Sequence, residues 1–148
     1  MKREIKFRGK SKKTRKWLYG YLGESKFSIL DYTYTDKVIF DNVLSFNTDN
    51  SAYVIKDLSV EEETICQFTG LTDKKGREIY EGDVLRINND AVICLLVVTW
   101  NSEVGSWCLR FKEESKEGTR PLGRWLCDRD YDIELTGNIY DNKELLEE

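Results

Sequence analysis

Four carboxylates fall between positions 73 and 83: Asp73, Glu78, Glu81 and Asp83. An oxygen-rich cluster is what a hard divalent cation selects. The EF-hand spacing is absent, however, and Lys74, Lys75 and Arg77 stand between the acids. The same stretch reads better as turn chemistry. Asp73 and Gly76 hold the first and last places of a four-residue turn, where a type I turn favours them. Gly70, Gly76 and Gly82 match neither G-x-x-x-x-G-K-[ST] nor a strand-to-helix G-x-G-x-x-G, so backbone angles explain them better than phosphate binding. No metal and no cofactor is expected.

The four cysteines, Cys66, Cys94, Cys108 and Cys127, are not at metal-clip spacing, and the chain contains no histidine. That excludes a C-x-x-C zinc site and any histidine-dependent triad. A nucleophilic cysteine would lack its usual base. Reduced, mostly buried thiols are the expected state. With no nucleophile elbow either, the expectation is a protein that is not an enzyme.

Basic residues offer a different chemistry. Residues 1–20 carry nine Lys or Arg against one acid, Glu4, a local balance of +8; the net charge is −4, so the remainder carries −12. Lys10, Lys12, Lys13, Arg15 and Lys16 lead directly into Trp17 and Tyr19, with Tyr21 following. A positive groove beside stacking aromatics is how small β-barrels hold single-stranded nucleic acid. These seven residues, Lys10 to Tyr19, are the candidate nucleic-acid or partner surface. The competing reading makes the aromatics core and the lysines a solvated turn, and the acidic remainder opposes polyanion binding. The apolar run Ala91–Trp100 is a third candidate. It either crosses the centre of the fold or is covered by further copies of the chain, which would make a homo-oligomer.

The elements that position these residues are read from periodicity. Residues 3–8 alternate, with Ile5 and Phe7 opposite Glu4, Lys6 and Arg8; residues 16–22 alternate again. Two strands around a polar turn predict a β-hairpin. Phe27–Leu30, Lys37–Phe40, Val43–Phe46 and Ala52–Lys56 predict a meander of short strands. Ser59 and Glu62 fit a capping box for one helical turn. Strands follow over 83–88, 91–100, 105–111 and 132–140, with 120–132 irregular and anchored by Trp125 and Leu126. Asp141, with Glu144 three residues on, predicts the cap of a short C-terminal helix. One domain over 1–148 is expected. No stretch of 18 apolar residues predicts a membrane span, and the charged start lacks a signal-peptide core. A cytoplasmic protein is the default.

Three blocks resemble one family. The first is Arg3-Glu4-Ile5-Lys6-Phe7-Arg8-Gly9-Lys10 with Trp17-Leu18-Tyr19-Gly20-Tyr21-Leu22; the second is Gln67 to Val84. The third is Leu135-Thr136-Gly137-Asn138-Ile139-Tyr140-Asp141-Asn142 with Leu145-Leu146. Together they resemble the YopX family of phage and prophage proteins across the whole chain. Cys66 departs from a usual glycine and Lys143 from a common proline. The resemblance implies an all-β fold. An SH3-like barrel core over 64–148 would carry an N-terminal β-hairpin and meander elaboration over 1–63. It supplies no catalytic residues. It implies an accessory protein of temperate phages with no assigned biochemical role. With the residue readings above, the expectation is a non-enzymatic protein-binding or assembly module with phage or host partners in the cytoplasm of the bacterial host cell. A nucleic-acid-binding accessory protein is the alternative.

Overall fold

A computed structural model describes residues 4–41, 58–89, 91, 93–111 and 120–147. The expected strands at 43–46 and 52–56, the charged loop 113–118, and Lys2 and Arg3 lie outside the described residues. The chain divides into two compact units, Met1–Gln67 and Phe68–Glu148. Antiparallel β-strands dominate both, as an all-β fold requires.

In the first unit β1 (Phe7–Lys10) pairs with β2 (Trp17–Ile29), which pairs with β3 (Tyr32–Phe40). The turn between β1 and β2 is closed by Ser11. Its amide donates to the Lys16 carbonyl at 2.9 Å, and its hydroxyl accepts from the amides of Lys13 and Thr14. A hydroxyl that replaces backbone partners is the usual device of such turns. The ladder from β2 to β3 runs unbroken from Tyr21↔Phe40 to Ile29↔Tyr32. Leu30 (φ 56°) and Asp31 make its two-residue connection. The runs at 16–22 and 27–30, expected as separate strands, are therefore one. The polar stretch Gly23–Lys26 interrupts the apolar pattern but not the backbone pairing. At the base of β3, Ser59 bridges Val38 and Val60 bridges Ser11. Val60 and Ile39 are fully buried there against Gly9, where a Cβ would lie 3.1 Å from Ile39 and 3.2 Å from Val60.

The expected capping box does not form. The Ser59 hydroxyl donates to Asp36 at 3.0 Å instead, and the short 3₁₀ turn Glu62–Thr64 has Glu61 as its cap. Thr64 then accepts the Lys10 amide at 2.8 Å. The chain continues into β4 (Cys66–Thr72), whose first residues pair as Cys66↔Arg8 and Gln67↔Phe7.

In the second unit β4 pairs with β5 (Glu78–Tyr80) around the Asp73–Gly76 turn. Then β6 (Asp83–Asn88), β7 (Ile93–Asn101), β8 (Ser106–Phe111) and β9 (Asp132–Asn138) form a sheet of order β8-β7-β6-β9. The middle of β7 is buried on both faces: Leu96, Val97 and Val98 are each at most 3% exposed. That explains its unalternating composition. Leu85, Ile87, Leu96, Val98, Trp107, Leu109 and Ile133 share one core with Ile79 and Leu122.

The expected closed SH3-like barrel is not observed, because this sheet is open. Pro121 bridges Cys108 of β8, and the segment then becomes helix α1 (Leu122–Leu126). Leu122, Trp125 and Leu126 pack on the core cluster. A helical turn thus covers β8 where a closing strand would be needed, in a region expected to be irregular. The C-terminal turn Lys143–Leu146 is 3₁₀, with Asn142 at its cap position and no side-chain cap bond. Asp141 does not cap it. Asn138 organises the turn instead, accepting the amides of Tyr140 and Asp141 at 3.0 Å and donating to the Asp141 carboxylate.

Candidate functional site

The basic turn gathers all seven residues of the candidate surface, but not as an open stacking groove. Register sets Lys10 opposite Trp17 and Arg8 opposite Tyr19. Residues directly opposite on one face touch, so the cations fall on the indole. The Arg8 guanidinium lies 4.6 Å from the Trp17 ring centre and the Lys10 ammonium 5.5 Å. Both are cation–π distances. Trp17 is half-buried and Arg8 is buried.

Lys12, Lys13, Arg15 and Lys16 are exposed. Two of them already meet acids within the unit. Lys12 donates to Asp36 at 2.6 Å, and Arg15 is ion-paired with Glu61. The Lys12 hydrogen bond holds the Asp36 carboxyl below the ordinary aspartate range. Burial opposes it, and the Ser59 hydroxyl assists it.

Tyr19 and Tyr21 are not core, since they are 46% and 53% exposed. Tyr21 tilts against Phe40 with ring centres 6.3 Å apart. A small cavity of about 240 Å³ lies beside them, lined by Glu4, Lys6, Tyr19, Gly20, Tyr21 and Asp41. The exposed apolar surface continues beyond the residues singled out from sequence. Leu30 is 92% exposed, Tyr32 69% and Tyr34 51%, all at the far end of the β2–β3 hairpin. The signal was the alternation Tyr32-Thr33-Tyr34-Thr35, hidden among short runs. The opposite face is polar: Glu24 accepts from Lys37 at 2.8 Å and lies 3.6 Å from Lys26, and Ser28 bonds Thr33 at 3.0 Å.

The acids of the second unit serve its turns. Asp73 is buried and accepts from the amides of Lys75 and Arg77 and from the Arg77 guanidinium. Asp83 accepts the Tyr80 amide, and Glu78 the Tyr80 hydroxyl. Among the described residues no three His, Cys, Asp or Glu side chains converge as a metal site. The run over 91–100 is buried at its centre, while Ile93 and Trp100 are exposed at 62% and 39%. No cysteine is in a disulfide: Cys66 and Cys108 are buried, Cys94 half-buried and Cys127 exposed. Among the described residues no helix is long and apolar enough to cross a membrane.

The profile of the family described as "YopX protein" matches residues 6–147. The chain belongs to the YopX family. A solved structure, protein EF1440 from Enterococcus faecalis, matches 97% of this YopX-family chain and 98% of its own length. The TM-score is 0.51 and the identity 20%, a likeness of fold. A search of curated proteins found no match.

Proposed function

We propose that this YopX-family chain is a non-enzymatic protein-binding or assembly module encoded by a phage or prophage and acting in the cytoplasm of its bacterial host. One observation carries the reading. The β2–β3 hairpin holds Tyr19, Tyr21, Leu30, Tyr32 and Tyr34 in solvent, while part of the basic turn is spent on Asp36 and Glu61. A row of exposed tyrosines is the composition of protein interfaces. Cations already paired within their own unit have less to offer phosphate.

The test is affinity capture with the full chain as bait in cells carrying the induced phage. Wild type is compared with Tyr19→Ser/Tyr21→Ser and with Lys12→Glu/Lys13→Glu. The proposal expects a defined protein partner, or the chain itself, lost in the tyrosine variant and kept in the charge variant. Capture of nucleic acid that the charge variant abolishes would overturn it.

A further inference from the structure

We propose that the occupant of the hairpin arm is a second copy of the chain, bound by antiparallel pairing of β3 with β3 about a two-fold axis at Tyr34. This deepens the assembly reading above and rests on it. Three features of the first unit lead there.

The first is the parity of the backbone. Alternate residues of a strand direct their N–H and C=O groups to the same edge. The Lys37 carbonyl accepts the Val60 amide at 3.0 Å on the edge away from β2. Thr33 and Thr35 therefore present their backbone groups on that same outer edge. Among the described residues no backbone meets them there. A bare, flat edge of aromatic and β-branched residues is a template for another strand.

The second is length. The open edge is bounded at one end by the Leu30–Asp31 connection and at the other by Ser59–Val60, which occupies the edge at Lys37 and Val38. The stretch between is Tyr32–Asp36, and its middle residue is Tyr34. Self-pairing about Tyr34 uses the whole stretch. It places Thr33 opposite the partner's Thr35, and Thr35 opposite the partner's Thr33. Both pairs have the backbone parity of hydrogen-bonded pairs, with Tyr34 facing its own copy at a non-bonded position. A centre moved one residue either way keeps the parity but shortens the pairing. Centred on Thr33 it sets Thr35 against Asp31 of the connection, and centred on Thr35 it sets Thr33 against Lys37, whose carbonyl Val60 already holds. A centre moved toward Val38 drives the partner's tip into Ser59–Val60. The Tyr34 centre is the isologous register that uses the whole open edge.

The third is charge. In that register Asp31 of one copy stands opposite the partner's Lys37, near the end of β3 that Lys12 of the basic turn reaches through Asp36. That end of the strand thus gains a carboxylate from the second copy. The tyrosine faces of the two arms become one continuous surface.

Sedimentation equilibrium of the full chain across a wide concentration range should give twice 17.4 kDa, the mass of one chain. Thr35→Pro removes an outward N–H while leaving the ladder to β2 intact, a placement that proline tolerates. It should restore the single-chain mass. If proline disturbs the fold by circular dichroism, Thr33→Lys/Thr35→Lys supplies the same block through charge on the edge. Oxidation of Tyr34→Cys, with exposed Cys127→Ser to silence the background, should cross-link copies. Facing non-bonded Cα atoms lie about 4.5 Å apart, within disulfide reach. Tyr32→Cys, facing Asp36, should not cross-link. A wild-type chain of 17.4 kDa at every concentration overturns the proposal. So does an oligomer indifferent to Thr35, or equal cross-linking at 32 and 34. If such a monomer still captures another protein through its tyrosines, self-pairing alone has failed. If it captures none, the module reading has failed with it.

Discussion

Gly20 is the residue whose side chain matters most by being absent. Its φ is 147°, and a Cβ there would lie 2.1 Å from the Phe40 carbonyl oxygen. The strand crossing of β2 and β3 depends on that approach. Gly20→Ala should therefore cost more than the roughly 1–2 kcal/mol of a left-handed conformation alone, and should disturb the amide signals of β3. Gly76→Ala is the control. Its φ is 76°, but nothing lies within 4 Å of the added carbon, so only the conformational cost should appear in urea melts. Asp73 makes the same turn legible in another way. Burial pushes its carboxyl up; the Arg77 amide and guanidinium and the Lys75 amide outweigh burial and hold it below the ordinary 3.8. A depressed carboxyl contributes stability above its unfolded pKa and loses that contribution as pH falls from 3.8 toward the folded value. Asp73→Asn should lower stability near neutrality by roughly 1–3 kcal/mol, because it weakens buried bonds. It should also flatten the decline in stability below pH 3.8. Equal acid sensitivity in both proteins would refute this role.

At the scale of elements, what the sequence made legible was local. The hairpin around the basic turn, the Asp73–Gly76 bend with its 2.9 Å bond from the Gly76 amide to the Asp73 carbonyl, and the doubly buried centre of β7 all follow from period and turn chemistry. What escaped depended on long-range choices. Ser59 had two partners available, a helix amide or Asp36, and only the fold brings Asp36 near. Asp141 yields the cap position to Asn142, while Asn138 ties down the preceding bend, its side chain reaching the amides of Tyr140 and Asp141 at once. Among the described residues no sheet closes into a barrel, and residues 122–126 turn helical beside β8, a choice that leaves no alternating pattern to read. The candidate surface was half legible for the same reason: composition marked the basic turn, but pairing with Asp36 and Glu61, and the exposure of Tyr32 and Tyr34, are tertiary facts. The burial of β7 has a measurable consequence. Leu96→Ala, at 1% exposure, should cost about 2–5 kcal/mol. Ile93→Ala, at the exposed end of the same strand, should stay within about 0.5 kcal/mol. Comparable destabilisation at both positions would mean that something covers Ile93.

Across the whole molecule the decisive quantity is how charge is distributed. The +8 of residues 1–20 stands against −12 elsewhere, so the long-range field is acidic while one turn is basic. Phosphate binding draws its free energy from released counterions, and every cation withheld from the phosphates makes the salt dependence shallower. Here Lys12 is bonded to Asp36, Arg15 to Glu61, and Arg8 and Lys10 lie over Trp17. Engagement of those groups by DNA would first break interactions that hold β1, β2 and β3 together. Filter binding to single- and double-stranded DNA should therefore show no retention even at low salt, where screening is least. Lys12→Glu/Lys13→Glu should leave that result unchanged while lowering stability through removal of the Asp36 partner. The opposite pattern, with firm retention at low salt that falls steeply as salt rises and vanishes in the double variant, would mean that the turn releases its own acids for phosphate. It would make the nucleic-acid reading the correct one.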